Sequence, residues 1–562
     1  MMQSIPAGEL RLLGDRAFLI GVADPAAGRA LAQVLVRELA GTGEVDVVCG
    51  FATVAVLLTD RDADLKPVLA AAAWVVARFV GHDLADGGKP SGGLATVPCA
   101  FDGPDLAEVA ALVGCATDQV VAYLTERPLT VAVMGFSPGF AYLDGLPEPL
   151  RAVPRRDRPR PVVPAGSVAL ANGHAAVYPT ASPGGWHLVG RTAVTLFSPE
   201  TPPYALLAPG DRVRLTLAGA GDPVDPTPVR APAWSPPATA RLVLEVVAPG
   251  LRAVVQDGGR RGVAAVGVPG AGPADPVSFT LANRLVGNAD DAGTIEVTGG
   301  GTLLRGRGPS HVAVVGADPG VRVDGVEVPA GQVLPLAERH VLEVGPLRGG
   351  CRTYVSVAGG LLGPGAFGSS ASDELCRLGA GPLAAGQPLY AGPWAPPLGD
   401  HVASGAASDV AAGGAPLELR VVPGPHPERF EPTALERLAA VVFRVAGDSN
   451  RVGIRLREES GATTLRRPEE GSELDSQGVV TGAVQVPPGG DPVILMPDHA
   501  TLGGYPVVAV VVSADHGLLG QCAPGTRVRL VPIGYDEARA ARQARWRAVD
   551  GAIIGHYPLS AG

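Results

Sequence analysis

Apolar residues in this chain follow two different spacings. Up to residue 93 they switch between the strand and the helix period. Leu10–Ile20 reads as a strand interrupted at Gly14-Asp15, and Ala26–Leu39 carries helical spacing (Leu31, Val34, Leu35, Leu39). Val45–Leu58 is rich in β-branched residues, Pro67–Val80 is an alanine-rich helix, and Asp86–Gly93 (DGGKPSGG) is a linker. This order predicts a small α/β lobe over 1–93.

Beyond Thr96 the texture changes. One helix is expected over Asp105–Leu124, divided near Gly114. After it come only short β-branched runs between Gly and Pro: Thr130–Met134, Val162–Val163, Ser167–Leu170, Ala175–Tyr178, His187–Leu196 and Arg212–Leu217. Short strands with regular turn signals predict a barrel or sandwich over 94–220. Prolines 223, 226, 228, 232, 236 and 237 mark 221–241 as a linker. A second β-rich block covers 242–392, a linker 393–416, a third block 417–535 and a tail 536–562. In that tail Tyr535–Val549 forms a helix with an arginine-rich face, expected to be a solvated cap.

One internal echo stands out. Ser182-Pro-Gly-Gly-Trp186-His-Leu-Val resembles Thr501-Leu-Gly-Gly-Tyr505-Pro-Val-Val, and each follows a similar turn, Val163-Pro164-Ala-Gly166 or Val486-Pro487-Pro-Gly489. A repeated fold is the reading.

Composition narrows the class. Glycine (77) and proline (55) make up nearly a quarter of the 562 residues, yet 46% are hydrophobic, so a disordered polar chain is excluded. A net charge of −10 gives no footprint for nucleic acid or an anionic membrane. No basic segment precedes an apolar run at the start, and no uncharged stretch reaches the ~18–20 residues of a membrane span. Six scattered cysteines without a C-x-x-C pair predict reduced thiols and a cytoplasmic location.

Several catalytic motifs fail on their chemistry. Gly135-Phe-Ser137-Pro-Gly139 has the G-x-S-x-G form, but Pro138 lacks the N–H that an oxyanion hole needs. Gly88-Lys89 precedes Pro90 and lacks the upstream glycine of a phosphate loop. The ten histidines are isolated, so no metal site is read. Lys66 and Lys89 are the only lysines and neither fits a biotin acceptor, which leaves arginine and backbone N–H groups to anchor anions.

Three constellations remain. The first gathers Phe136, Phe140, Tyr142, Ser167, Tyr178, Trp186 and His187, aromatic walls with a few polar groups as in a small-ligand pocket. A barrel core with tight turns is the competing reading. The second is Gln256-Asp257-Gly-Gly-Arg260, followed by Asp275, Asn283, Asn288 and Glu296. The third is Asn450-Arg451 and Arg455 with Gln477, Gln485, Asp498 and Gly503-Gly504-Tyr505. Paired arginines beside amide side chains could grip a carboxylate or phosphate bidentately, although structural salt bridges have the same signature.

Together the clusters carry a resemblance. GFSPGFAYLDGL, RPVVPAGSVALA and VYPTASPGGWHLVGRT look like the KipI, or allophanate hydrolase subunit 1, group. VVQDGGRRG, GVPGAGPADP, LANRLVGN, IEVTGGGTL, SNRVGIRL, GAVQVPPGGDPVILMPDHATLGGYP and LLGQCAPGTRVRL look like the KipA, or subunit 2, group. The chain thus resembles a fusion of the B and C subunits of bacterial 5-oxoprolinase, over about residues 8–535. It departs from the family pattern at Leu124, Ser370, Ala371, Gln477 and Leu502, where His, Arg, Ser, Glu and Thr are expected.

The resemblance implies a mainly β fold with an α/β lobe and cyclophilin-like β-barrels, one in the N-terminal half and two in the C-terminal half. It implies ATP, with Mg2+, as co-substrate and a lactam or amide as substrate. The partner it implies is the separate A subunit of 5-oxoprolinase. It implies no biotin on this chain, and a homo-oligomer is compatible with it. As catalytic residues it points to Asp257, Arg260 and Arg451. As substrate-binding residues it points to Gln256, Asn450, Arg455, Gln485, Asp498, Gly503 and Gly504, with Trp186 and Tyr505 as pocket walls. Two alternatives share these modules: the carboxyltransferase part of a biotin-dependent urea or amide carboxylase, and a KipI-like protein that binds and inhibits a kinase.

Overall fold

The computed structural model describes all residues except 1–4, 42–43, 81–91, 201, 220, 226–233, 394–400, 403–414, 460–464, 466–473 and 555–562. Lys89, most of the DGGKPSGG stretch, the middle of the first linker, most of the second and the chain end lie outside the described residues.

Alternation along the first strands explains how the N-terminal lobe is built. An antiparallel sheet runs in the order Leu10–Leu12, Ala17–Gly21, Thr53–Leu58, Val45–Cys49. Phe18, Ile20, Val54 and Val56 point to one face, under helices Pro25–Leu39 and Leu65–Val80. Asp24 starts the first helix by accepting the Ala27 N–H at 2.8 Å, with Pro25 in the first turn. On the other face Ala17, Leu19, Val48 and Ala55 enter a core shared with residues 133–188 and 422–538. The lobe is therefore packed against two other parts of the molecule.

The helix expected over Asp105–Leu124 is two helices, Leu106–Val113 and Thr117–Thr125, separated where Gly114 takes φ 71°. Leu124 is fully buried in the core beneath them. Seven strands follow in the sheet order His187–Arg191, Ser167–Ala171, His174–Val177, Ala141–Asp144, Leu129–Met134, Arg212–Leu217, Leu94–Cys99. The last two are parallel, and a bridge from Ala100 to Arg191 brings the two edges together, so the barrel is nearly closed. The Gly135–Gly139 turn runs into strand Ala141–Asp144 rather than a helix, which rules out a nucleophile elbow.

The block from Arg241 to Ala391 consists of a seven-stranded and a five-stranded sheet around one apolar core. Helix Pro276–Leu285, capped by Asp275, covers the outer face of the five-stranded sheet. The third block is a closed barrel in the order Leu417–Pro423, Val507–Val511, Ala483–Gln485, Val493–Leu495, Gly453–Glu458, Phe443–Val445, Arg527–Pro532. The chain is mainly β, and no single helix among the described residues is long and apolar enough to cross a membrane.

The first and third barrels share one strand order, including the parallel closing pair and an accessory two-stranded ladder. Ser182–Gly184 pairs with Arg160–Val163 in one ladder, and Leu502–Gly503 pairs with Gln477–Gly478 in the other. The Gly-Gly-Trp and Gly-Gly-Tyr turns therefore occupy equivalent places. The accompanying turns do not: Val163–Gly166 precedes its barrel strand, whereas Val486–Gly489 follows one. The counterpart of Gly166 is Gly482, which has the same left-handed backbone and accepts the equivalent N–H, from Val511 as Gly166 does from Thr192.

This equivalence extends to a buried pair. Asp105 accepts the Leu188 N–H at 2.7 Å and binds Arg160, the cross-strand partner of Gly184. At the same place in the third barrel, His426 accepts the Val507 N–H on Nδ1 at 3.1 Å and lies 2.7 Å from Gln477, the cross-strand partner of Gly503. With Nδ1 accepting, the neutral ring carries its proton on Nε2, which faces the side-chain amide of Gln477. One barrel thus holds an ion pair where the other holds a neutral pair.

The C-terminal helix, Tyr535–Asp550, is not a solvated cap. Ala538, Arg542 and Val549 are buried, and Arg539 and Arg542 bind the N-terminal lobe. Burial pushes the His426 imidazole down to about 4, so it stays neutral in the fold. Its contribution to stability is present above about pH 6.5 and is lost as pH falls towards 4, up to about 3 kcal/mol. Denaturant melts of the protein and of His426→Gln between pH 7 and 4 should therefore converge at the acid end.

Candidate active site

A cavity of about 640 Å³ lies where the N-terminal lobe, the middle block and the third barrel meet. This is within the usual range for small-ligand sites, roughly 300–1,000 Å³. The lobe contributes Arg16, Asp46 and residues 57–62, the middle block the Gly258–Ala274 loop and Phe279, and the third barrel Thr481, His499, Thr501, Ser513 and His516. Trp546 of the C-terminal helix completes the wall.

Several of these groups are tuned by burial. Asp46 is pushed up to about 6 because it is desolvated, although N–H groups of Gly262 and Ala264 oppose the shift. Burial also holds His499 and His516 below the usual imidazole range. Arg16 drops to about 10 through burial and the nearby Arg542, while its guanidinium binds the carbonyls of Leu58 and Arg61. The cavity therefore offers a carboxyl held well above its ordinary range and two neutral imidazoles.

Of the catalytic and substrate-binding residues picked from sequence, Arg260 lines this cavity, together with Gly258 and Thr501 from the same motifs. Arg260 is 3% exposed and binds the Ala371 carbonyl, and its Nε and Nη1 have no hydrogen-bond partner among the described residues. Asp257 accepts hydrogen bonds from the Gly259 N–H, the Ser369 hydroxyl and the Ser370 N–H at 2.9, 2.6 and 2.5 Å. Gln256 donates to Ser372 at 2.8 Å. This constellation fastens its strand end to the Ser369–Ser372 turn, where two of the family departures, Ser370 and Ala371, reside.

Arg451 is not free to grip an anion. It donates to Asp498 from Nε at 3.0 Å and Nη2 at 2.8 Å, to Glu296 from Nη1 at 2.6 Å, and to the Gly272 carbonyl at 2.6 Å. All three charged side chains are at most 2% exposed. Glu296 also accepts the Tyr354 hydroxyl and the Ala274 N–H, and although burial opposes it, Arg451 and Arg352 hold its carboxyl below the usual range. Asn450 caps its own loop through Val452 and Gly453, and exposed Arg455 pairs with Asp448. Structural ion pairing, the competing reading of this motif, accounts for both arginines.

The aromatic constellation is packed core. Phe136, Phe140, Tyr142, Tyr178 and Trp186 meet edge to face with ring centroids 5.0–6.4 Å apart. Tyr142 and Trp186 belong to the core shared by the lobe and both barrels. Ser167 is buried in its strand, and His187 is buried with neither ring nitrogen hydrogen-bonded and Nδ1 3.8 Å from Glu108. Gln485 is buried beside Gly503, so closely that a Cβ there would lie 2.5 Å from its Nε2. Gly504 and Tyr505 continue that turn outside the cavity. Gly135 has the same constraint against Leu502, at 2.4 Å, so this departure fills a seam between barrels.

Residues 266–532 match the family model "Carboxyltransferase domain, subdomain A and B", and residues 9–207 match "Carboxyltransferase domain, subdomain C and D". The chain is 32% identical over 309 residues to the 5-oxoprolinase C subunit of Escherichia coli K12, covering 54% of this chain and 96% of that protein. It is 50% identical over 112 residues to the 5-oxoprolinase B subunit of E. coli O157:H7, covering 20% of this chain but only 51% of that protein. The crystal structure of TTHA0988 superposes with a TM-score of 0.77 at 33% identity, covering 92% of this chain and 99% of that one. The chain belongs to the carboxyltransferase-domain family. It carries the modules of the B and C subunits of 5-oxoprolinase in one polypeptide.

In this family member the cavity is walled by both modules. Residues 13–62 fall in the C and D match and residues 269–519 in the A and B match, while Gly258, Arg260, Arg261, Ala264 and Trp546 lie outside both. Sequence reasoning missed Asp46, His499 and Trp546. His499 sits inside a quoted motif, PDHATLGGYP, whereas Asp46 lies in an ordinary strand and carries no sequence signal. Arg451→Ala would leave Glu296 and Asp498 buried without their partner, a loss of about 3–5 kcal/mol. The expected outcome is a large drop in melting temperature; an unchanged melting temperature with lost ligand binding would return Arg451 to the binding residues.

Proposed function

We propose that this chain is the fused B–C component of an ATP-dependent 5-oxoprolinase, opening the 5-oxoproline lactam to glutamate together with a separate A subunit. The observation that carries this reading is the pairing of both modules in one chain, with a ligand-sized cavity walled by both. An amide is a poor electrophile, and phosphorylating its oxygen turns that atom into a leaving group. ATP, with Mg2+, would supply the phosphoryl group.

The residues in the cavity suit such a substrate. Gly270 and Ala271 line it, and their backbone N–H groups donate to no group among the described residues, which suits them to a carboxylate or phosphoryl oxygen. Neutral His499 and His516 can give or accept a hydrogen bond from a lactam without repelling it. Asp46 is the group suited to move a proton near neutral pH. The six cysteines are free thiols, in keeping with a cytoplasmic enzyme.

The family description also supports a second reading, carboxyl transfer from carboxybiotin on another chain to an amide. A coupled ADP-release assay with 5-oxoproline, urea or allophanate, run with and without the purified A subunit, separates the two. ADP release that needs both 5-oxoproline and that partner is expected, and Asp46→Asn should lower it by roughly tenfold or more. Transfer from a biotinylated carrier without ATP would replace the oxoprolinase reading.

A further inference from the structure

His499 lines the cavity from a turn that the buried ion pairs hold in place. Its backbone N–H donates to the Met496 carbonyl at 2.9 Å. The preceding residue, fully buried Asp498, is fastened by Arg451 and by the Glu374 N–H at 3.0 Å. The His499 Nδ1 lies 2.7 Å from the Ala500 carbonyl, and because a carbonyl can only accept, Nδ1 carries the proton. Burial keeps the ring neutral by pulling it below the usual imidazole range, against the opposite pull of the Ala500 carbonyl and Asp498. Nε2 is then a bare lone pair, and it has no partner among the described residues.

The other polar groups in the wall are placed differently. The His516 Nε2 is buried without a partner and packed against Gly482, where a Cβ would stand 3.0 Å from it. Asp46 shares its carboxylate with the Gly262 and Ala264 N–H groups. Arg260 can only donate. Asp498 is the charged group that acts on the His499 ring, and Arg451 fixes it, so an imidazolium formed there has its counter-charge already in position. An orienting acceptor on one ring nitrogen, an open lone pair on the other and a carboxylate beside them are the parts of a general base.

We propose that His499 Nε2 is the base that takes the proton from the amide nitrogen of the substrate. The inference rests on the reading above, in which this cavity is the reacting site for a lactam or amide. When the lactam oxygen attacks the γ-phosphorus of ATP, the carbonyl π pair becomes the new O–P bond and the bond from phosphorus to the ADP oxygen breaks. The nitrogen lone pair closes a C=N bond, and the N–H pair stays on nitrogen as its proton passes to Nε2. Without an acceptor for that proton the phosphorylated lactam would keep a positive charge on nitrogen. The same proton has to leave if the nitrogen is carboxylated from carboxybiotin instead, so the role is common to both reactions.

The test is chemical rescue in the full-length chain, assayed with the purified A subunit and 5-oxoproline. His499→Ala should lower kcat by roughly 100-fold or more with little change in KM, the range of a lost general base. Added imidazoles should restore part of that rate, and the restored rate should rise with the basicity of the imidazole used. A side chain that merely holds a turn would produce no such dependence. His499→Gln, which keeps a hydrogen-bonding side chain but no base, should stay slow. A parent-like kcat in His499→Ala would overturn the assignment, and so would a loss that no imidazole relieves at an unchanged melting temperature. Should His499→Ala fail to fold, His499→Gln and the ring itself decide. Nitrogen NMR of the histidine-labelled parent at neutral pH should show His499 protonated on Nδ1 alone, and a proton on Nε2 would overturn the proposal. If the parent releases no ADP with 5-oxoproline, the oxoprolinase reading falls, and the same rescue is then read on carboxyl transfer to urea.

Discussion

The architecture depends on one buried charge cluster. Arg451 of the third barrel is held by Asp498 of its own barrel and by Glu296 of the middle block, with almost no exposure to solvent. Such a cluster adds little stability over an apolar contact, but it is strict about geometry, because any displacement leaves a charge without its partner. Here it fixes the register between two blocks. Gln521 reinforces the seam by accepting the Cys351 and Arg352 N–H groups and donating to Asp275, the cap of helix Pro276–Leu285. The floor and one wall of the cavity are consequently set before any ligand arrives.

The repeated barrels show how one design serves two ends. Their equivalent loops, Gly135–Phe140 and Ala446–Val452, both reach the same glycine-rich segment of the middle block. The first holds it through the Gly139 N–H, which donates to the Val266 carbonyl, and the second through Arg451, which donates to Gly272. The segment that borders the cavity is therefore gripped at two points by related loops. The paired positions Asp105–Arg160 and His426–Gln477 have diverged from one another while the backbone bonds around them stayed the same.

Much of the fold was legible because strand spacing and turn chemistry are local. The split helix at Gly114, the α/β lobe and the Gly-Gly-aromatic echo all follow from nearest neighbours in sequence. The site was less legible because its residues are brought together by the packing of three blocks. Asp46, His499 and Trp546 lie far apart in the chain, and nothing beside Asp46 marks it. Conversely, the motifs that looked most chemical, Arg451 with Asp498 and the five aromatic rings, serve packing. Dense buried ion pairs and edge-to-face rings use the same residue types as ligand sites, so composition alone cannot separate them.

That the cavity takes its walls from both modules has a kinetic side. When two such modules are separate polypeptides, the site exists only while they are bound, and its population falls on dilution. In this chain the second module stays at a high effective concentration beside the first, set by the connecting segment rather than by expression level. Covalent continuity thereby adds to the buried core that the two modules already share.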